Sequence, residues 1–316
     1  MNILIYGFGR MGITHFSILK GLNDEFNFTI IEPNQVLRTL LKRNINAKFY
    51  KDDSKIDQNY DITLITTPPF LHLDLLNKCI ERGDKKIFIE KPFGGFSNTS
   101  SPAKYLSNDI CIGYVYRFNP CIEWLKKNIN PDKVVNVSGE FLSNTLTKKP
   151  SGWRNGEFSG VLNEVGSHVI DLIQYLISET EFEVLSVDKR SIVSDIDDIV
   201  SAELKSIKNV RVKLNFNWVK KDVRKPIFRL NLKLKDGTSY LIDQQQIKIF
   251  SEDESCTETI SVTDLREKVP FYLRGIDFTK QMIDLVNEGK TIAKISDGLN
   301  VNRIMNSIIN HENNPR

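Results

Sequence analysis

The chain has 316 residues, 40% of them apolar and 26% charged, which is the make-up of a globular protein of about two domains whose core needs no disulfide or metal staple. Its 43 basic and 40 acidic side chains leave a net charge of +3, too even to point to nucleic acid or a membrane surface as a partner. No apolar run approaches the ~18 residues of a membrane span and no basic leader precedes the first strand, so the expectation is a cytoplasmic protein with no membrane attachment.

Residues 2–6, 28–31, 62–66, 86–89 and 110–115 are short runs rich in β-branched and aromatic side chains, bounded by Gly, Pro or Asp, as in strands buried on both faces. Helical patterns over 11–22, 35–43 and 70–82 alternate with them, the last stopped by Gly83. Strand–helix alternation requires right-handed crossovers and a parallel sheet, so residues 1–119 read as a doubly wound α/β dinucleotide-binding domain of the Rossmann type. From 120 to 316 the rhythm changes. The runs 134–143, 184–193, 199–207, 210–218, 228–235, 239–242 and 247–250 mostly alternate apolar with polar residues. In one of them Val210, Val212, Leu214, Phe216 and Trp218 fall at every second position, with Arg211, Lys213, Asn215 and Asn217 between, which describes an antiparallel strand with one wet face. Asp236-Gly237 suits a hairpin turn. A helix over 165–177 precedes most of these strands, helices over 271–288 and 297–310 close the chain, and 148–155 reads as an irregular loop. The second domain is therefore α+β with an open, largely antiparallel sheet, expected to bind substrate.

Gly7-Phe8-Gly9-Arg10-Met11-Gly12 follows the first strand directly and opens the first helix. In this G-x-G-x-x-G the first glycine permits a tight turn, the second lets backbone approach a pyrophosphate, and the third lets helix and strand pack closely. The free N–H groups at the helix start face the anion. A second strand ends in Glu32, where a carboxylate accepts hydrogen bonds from both adenine-ribose hydroxyls and repels a 2′-phosphate. The expected cofactor is NAD, with Asn34 and Arg38 near enough in sequence to leave NADP open. The plain alternative is a set of glycines that serve only a strand-to-helix turn. Thr66, Thr67 and Pro68, with His72 after them, lie beyond the carboxyl end of a central strand, where ligands sit in a doubly wound sheet. They line the cofactor or form an ordinary turn.

Glu90-Lys91-Pro92 ends the strand 86–89 and carries Lys91 toward the same crevice, an exposed surface lysine being the alternative. Residues 113–120 place Tyr116, Arg117 and Asn119 at the domain junction as candidate substrate contacts, joined by Trp153 and Arg154 from the irregular loop. An arginine there suits an anionic group such as a uronate or diphosphate. Glu164, His168 and Asp171 stand at i, i+4 and i+7, on one helical face, with Val169, Leu172, Ile173 and Leu176 on the other. A carboxylate one turn from an imidazole fixes its tautomer and stabilises its charged form, as a general base requires. Alternatively Glu164 complements the helix dipole and His168 is an exposed helix residue. The scattered cysteines Cys79, Cys111, Cys121 and Cys256, with no C-x-x-C pair, give neither a metal site nor a disulfide framework.

Taken in order, Gly7–Gly12, Glu32, Thr67-Pro68 with His72, Glu90-Lys91-Pro92, Tyr116-Arg117-Phe118-Asn119-Pro120, Trp153-Arg154, the stretch 160–171 and Ser296-Asp297-Gly298-Leu299 resemble the glucose-fructose oxidoreductase / inositol dehydrogenase family, often called Gfo/Idh/MocA. The resemblance implies a Rossmann domain followed by an open-faced sheet domain, with Lys91 as the active-site lysine and His168 as the catalytic histidine. Glu164 stands where many members have Asp, and the usual glycine run before the helix is reduced to Ser159-Gly160. The resemblance also implies a homo-oligomer, dimer or tetramer, paired through the exposed face of the second sheet. The expected activity is NAD-dependent hydride transfer between nicotinamide and a secondary alcohol of a sugar, cyclitol or nucleotide-linked sugar. Lys91, His168 and Glu164 would be the catalytic groups, and Asp171 a further substrate contact. The rivals are Lys91 itself as the base, a reductase of a non-sugar substrate on the same fold, and a dinucleotide-binding sensor without turnover.

Overall fold

In the computed structural model the early apolar runs form β1 (Asn2–Tyr6), β2 (Asn27–Ile31), β3 (Lys48–Tyr50), β4 (Ile62–Ile65), β5 (Lys86–Ile89) and β6 (Asp109–Ile112). The helices between them are α1 (Arg10–Leu22), α2 (Gln35–Lys42), α3 (His72–Arg82) and α4 (Pro102–Leu106). The described residues are 1–93, 102–156, 158–265, 275–287 and 289–311. Ile3, Leu4, Ile5, Leu64, Phe88 and Ile89 are fully buried, as strands covered by helices on both faces require. The strands pair in the order β6-β5-β4-β1-β2-β3, all parallel, so the order reverses between β1 and β4. In such a sheet ligands sit beyond the carboxyl ends at that switch point. Gly83, at φ +79°, ends α3 in the left-handed conformation. α3 begins at His72 rather than Phe70 because Pro69–Leu71 form a tight turn first. β3 has three residues, too few for a periodic signal in the sequence.

The chain divides into two compact units, Met1–Val115 with Asp277–Leu299, and Tyr116–Ile276 with Asn300–Arg316. The division expected at residue 119 takes no account of 277–299, which return to the first unit. There the short strand Ala293–Lys294 pairs antiparallel with β6, and Lys294 Nζ donates to Asp109 Oδ1 at 2.7 Å. Lys86 Nζ likewise donates to the Leu285 carbonyl at 2.9 Å. Of the expected helix over 271–288, residues 271–274 and 288 lie outside the described ones; the helix there is Ile276–Val286, and the last helix is Ile295–Ile309.

The second unit contains α5 (Pro120–Asn128), β7 (Val134–Leu142), α6 (Ser167–Ile177), β8 (Phe182–Arg190), β9 (Ile199–Ser206), β10 (Arg211–Asn217), β11 (Ile227–Leu234), β12 (Ser239–Ile242), β13 (Gln246–Phe250) and β14 (Cys256–Ser261). Its eight strands pair in the order β14-β13-β12-β11-β7-β10-β9-β8, antiparallel except for the parallel pair β7–β10. Val212, Leu214 and Phe216 of β10 are buried while Arg211, Lys213 and Asn215 are exposed, so the apolar row is the covered one and the other face is polar. Gly237 at φ +86° turns the chain between β11 and β12. α6 lies close on β7: a Cβ at Gly139 would sit 2.4 Å from Val169 Cγ1. Ten of the eleven α6 residues are buried, including His168 and Asp171, so the alternative of His168 as an exposed helix residue does not hold. α5 escapes the periodicity reading although its signal is present: Asn119 caps it and Pro120 takes its first position.

Candidate functional site

The first half of the site grows out of the β1–α1 turn. Gly7 bends at φ +81° and donates its N–H to the Ile31 carbonyl at 2.9 Å. A Cβ at Gly12 would lie 2.2 Å from the Gly7 carbonyl oxygen, so only glycine lets α1 start this near β1. A Cβ at Gly9 would meet nothing within 4 Å, which places the middle glycine against open space. Gly9 caps α1 with no side-chain acceptor. The amides of Arg10, Met11 and Gly12 therefore form the first helical turn without an intrahelical partner, where the dipole favours an anion. The Phe8 ring is fully buried against Phe16 and Phe49, centroids 5.5 and 6.1 Å away, so Phe8 offers this region backbone only.

Glu32 closes the other side. Its Oε2 accepts from Phe8 N and its Oε1 from Asn34 N, both at 2.9 Å. Each oxygen keeps a second lone pair for a hydroxyl. Arg38 folds back to donate to the carbonyls of Glu32 and Pro33 at 2.5 and 2.6 Å. Thr66 Oγ1 donates to the Gly7 carbonyl at 2.6 Å, bracing the glycine turn from β4. His72, expected along the cofactor, is instead fully buried, its Nε2 2.9 Å from the Thr67 carbonyl, and burial lowers its pKa. An unpaired α1 start, an open middle glycine and a carboxylate at the end of β2 fit a dinucleotide's pyrophosphate and ribose.

Lys91 is half-buried just past the carboxyl end of β5. Its neighbour Glu90, also expected against the cofactor, points into the protein. Glu90 Oε1 lies 2.6 Å from Nε2 of the fully buried His15, and its Oε2 accepts the Lys91 N–H at 3.2 Å. Sequence reasoning missed His15; its signal is a place on the buried stripe Gly12, His15, Phe16 and Leu19 of α1.

The second unit gathers a separate group at the start of α6. Leu162–Gly166 form one wide π-type turn, in which Ser167 N donates to the Leu162 carbonyl, before the regular helix begins. Such turns recur at functional sites. The regular α-helical spacing that would set Glu164 on one face with His168 and Asp171 therefore does not hold across this turn. Glu164 Oε1 accepts from Ser159 Oγ at 3.0 Å. Asp197 anchors the turn through the Leu162 N–H at 2.8 Å, and burial raises its carboxyl to about 6. The Tyr116 ring stacks on the His168 imidazole, centroids 4.6 Å apart and planes 23° from parallel, with Phe228 edge-on to Tyr116 at 5.3 Å.

Arg117 and Asp171, both expected at substrate, pair with each other in two bonds of 2.9 and 2.5 Å, at side-chain exposures of 5% and 0%. The Arg117 guanidinium also lies 4.6 Å over the Tyr175 ring. Asn119 is likewise a structural group: its Oδ1 accepts from Cys121 N at 3.0 Å as the α5 cap. Trp153 and Arg154 occupy the turn Gly152–Asn155, where Arg154 is exposed. Among the described residues no three His, Cys, Asp or Glu side chains are grouped to hold a metal ion, and no helix is long and apolar enough to cross a membrane.

Residues 1–100 match the sequence profile described as "Oxidoreductase family, NAD-binding Rossmann fold", that of Gfo/Idh/MocA. Levoglucosan dehydrogenase from Pseudarthrobacter phenanthrenivorans is 26% identical over 138 residues, a match spanning 39% of this chain and 34% of that protein. A crystal structure of an oxidoreductase domain protein from Kribbella flavida superposes with a TM-score of 0.82 at 16% identity, covering 97% of this chain and 95% of that one. Levoglucosan dehydrogenase in complex with NADH gives 0.82 at 18% identity, covering 98% and 96%. UDP-N-acetylglucosamine 3-dehydrogenase from Acidithiobacillus ferrooxidans gives 0.73 at 17% identity, with 98% and 96% covered. These likenesses show the shared two-domain fold, a parallel dinucleotide-binding sheet followed by a largely antiparallel one. Residues 1–100 thus carry the profile of the NAD-binding Rossmann domain of the Gfo/Idh/MocA oxidoreductase family, and the whole chain shares the two-domain fold of these structures.

Proposed function

We propose that the chain is an NAD-dependent dehydrogenase that oxidises a secondary alcohol of a sugar or nucleotide-linked sugar, or reduces the corresponding ketone. The observation that carries this reading is His168: an imidazole at the head of a buried helix, its ring face covered by Tyr116 and a carboxylate-bearing turn just before it. Fixed imidazoles of this kind act as general bases at neutral pH. NAD, when bound, supplies the hydride acceptor, held by the amides of Arg10, Met11 and Gly12 and by Glu32. His168 takes the proton of the substrate hydroxyl. Lys91 donates a hydrogen bond to the same oxygen and stabilises the negative charge that develops there. Glu164, braced by Ser159 in the turn that leads into α6, supplies the supporting carboxylate. The sugar class is supported by structural neighbours solved with NADH and levoglucosan or L-sorbose.

The test is a panel of sugars and nucleotide-linked sugars with NAD, following nicotinamide absorbance in the wild type and in His168→Asn. The expected result is turnover with at least one member of the panel, and a loss of about 10²–10⁴ in kcat on replacing His168 while NAD affinity holds. Tight NAD binding without turnover on any substrate would favour the sensor reading instead.

A further inference from the structure

We propose that His15 is a positioning residue for Lys91, acting through the carboxylate of Glu90; this rests on Lys91 acting at the substrate oxygen as proposed above. The two oxygens of Glu90 have separate tasks. Oε1 meets His15 Nε2 at 2.6 Å and Oε2 receives the Lys91 N–H at 3.2 Å, so one carboxylate joins α1 to the peptide that carries the lysine. His15 follows Gly12 by three residues, inside the helix whose first turn is the anion site. Its ring is fully buried and held edge-on by Phe88 and Phe278, with centroids 5.2 and 6.0 Å away. The carboxylate is confined as well: a Cβ on Gly113 of the neighbouring strand end would lie 3.0 Å from Glu90 Oε2 and 3.1 Å from Phe88 Cζ. That accounts for a glycine at this point of the sequence, where no positive φ demands one.

A buried carboxylate–histidine pair is a poor device for stability, since desolvation consumes most of its attraction and apolar residues of similar volume pack as well. It does fix geometry. The strut makes the dinucleotide-binding helix and the Lys91 backbone one rigid piece, and displacing a reacting group by about 1 Å is enough to cost roughly 10²-fold in rate. The residue after Lys91 is Pro92, which has no N–H, so the Lys91 amide is the local reporter of the strut.

The experiment compares wild type, His15→Phe and His15→Gln in the full chain, reading amide hydrogen exchange at Lys91, kcat on the best sugar of the panel, and NAD affinity. Phe keeps the ring volume without a nitrogen; Gln restores a donor toward Glu90. His15→Phe is expected to speed exchange at Lys91 by about tenfold or more. It should also lower kcat by about 10–100-fold while NAD affinity stays within about threefold. His15→Gln should recover both toward wild type. Exchange at Lys91 and kcat unchanged in His15→Phe would overturn the proposal, and so would a Gln variant as impaired as the Phe one. Wild type without turnover on any sugar would refute the dehydrogenase reading, and the exchange data would then decide the strut alone. Should His15→Phe not fold, Gly113→Ala, which crowds the same carboxylate, is expected to speed Lys91 exchange and lower kcat in the same way; wild-type values for both would overturn the proposal.

Discussion

Asp171→Asn offers a large effect whose size follows from the geometry. The Asp171 side chain is wholly buried and binds Arg117 through two parallel bonds of 2.9 and 2.5 Å, with only 5% of the arginine side chain exposed. Asparagine keeps the volume but removes the charge, and sets an NH₂ donor against a guanidinium that has only donors. Removing one partner of a buried pair costs about 3–5 kcal/mol because the other charge loses that compensation in the interior. At about 2–4 °C per kcal/mol for a unit of this size, the second unit should melt roughly 6–20 °C lower. Urea unfolding followed by tryptophan fluorescence and by circular dichroism measures it. Arg117→Met with Asp171→Leu removes both charges together and should recover most of the loss, to within about 1–2 kcal/mol. A cost for Asp171→Asn below about 1 kcal/mol, the value of a solvated surface pair, would refute the reasoning. Arg117 directly follows Tyr116, whose ring covers His168, so kcat should fall in Asp171→Asn and return in the charge-free double variant.

Gly12→Ala puts a methyl 2.2 Å from the Gly7 carbonyl oxygen, and overpacking of about 1–3 kcal/mol should weaken NAD binding by about 5–150-fold in a fluorescence titration; unchanged affinity would contradict the turn geometry. Glu32→Ala removes the charge that disfavours a 2′-phosphate, so the ratio of kcat/KM for NADP to that for NAD should rise by about tenfold or more, and a fixed ratio would show that Glu32 does not read the ribose. Burial raises the Asp197 carboxyl to about 6, above its unfolded value, so protonation contributes stability that is complete below about pH 4 and lost as pH rises through 6. Asp197→Asn has no such loss. Its stability relative to wild type should improve by up to about 3 kcal/mol between pH 4 and pH 7, and parallel pH profiles would contradict this assignment.

The features legible in the sequence are the local ones. Gly7–Gly12 after β1 and Glu32 at the end of β2 announce a dinucleotide fold because turn, helix start and strand end lie within one short stretch. The alternation across Val210–Trp218 likewise gives the buried and wet faces of β10. The helix bearing His168 was harder. Periodicity assigns Glu164, His168 and Asp171 to one face, but it cannot register the extra residue of the π-type turn at Leu162–Gly166. It also cannot show that α6 is covered all round. Arg117 and Asp171 are 54 residues apart and His15 and Glu90 are 75 apart, so no local pattern announces either pair. Asn119 had a readable signal, Asn before Pro at a helix start, and its capping role follows from that dipeptide. The return of 277–299 to the first unit is made by the two-residue strand pair with β6 and by scattered contacts such as Lys294–Asp109, Lys86–Leu285 and His15–Phe278, none of which carries a period.

A crystal structure of the chain with NADH and a substrate sugar from the panel tests most directly whether one lysine and one histidine share the reacting oxygen. The expected result is a single sugar oxygen within about 2.6–3.2 Å of both Lys91 Nζ and a His168 ring nitrogen. A productive complex in which that oxygen meets neither group, or in which His168 lies beyond the reach of one bridging water, would contradict it.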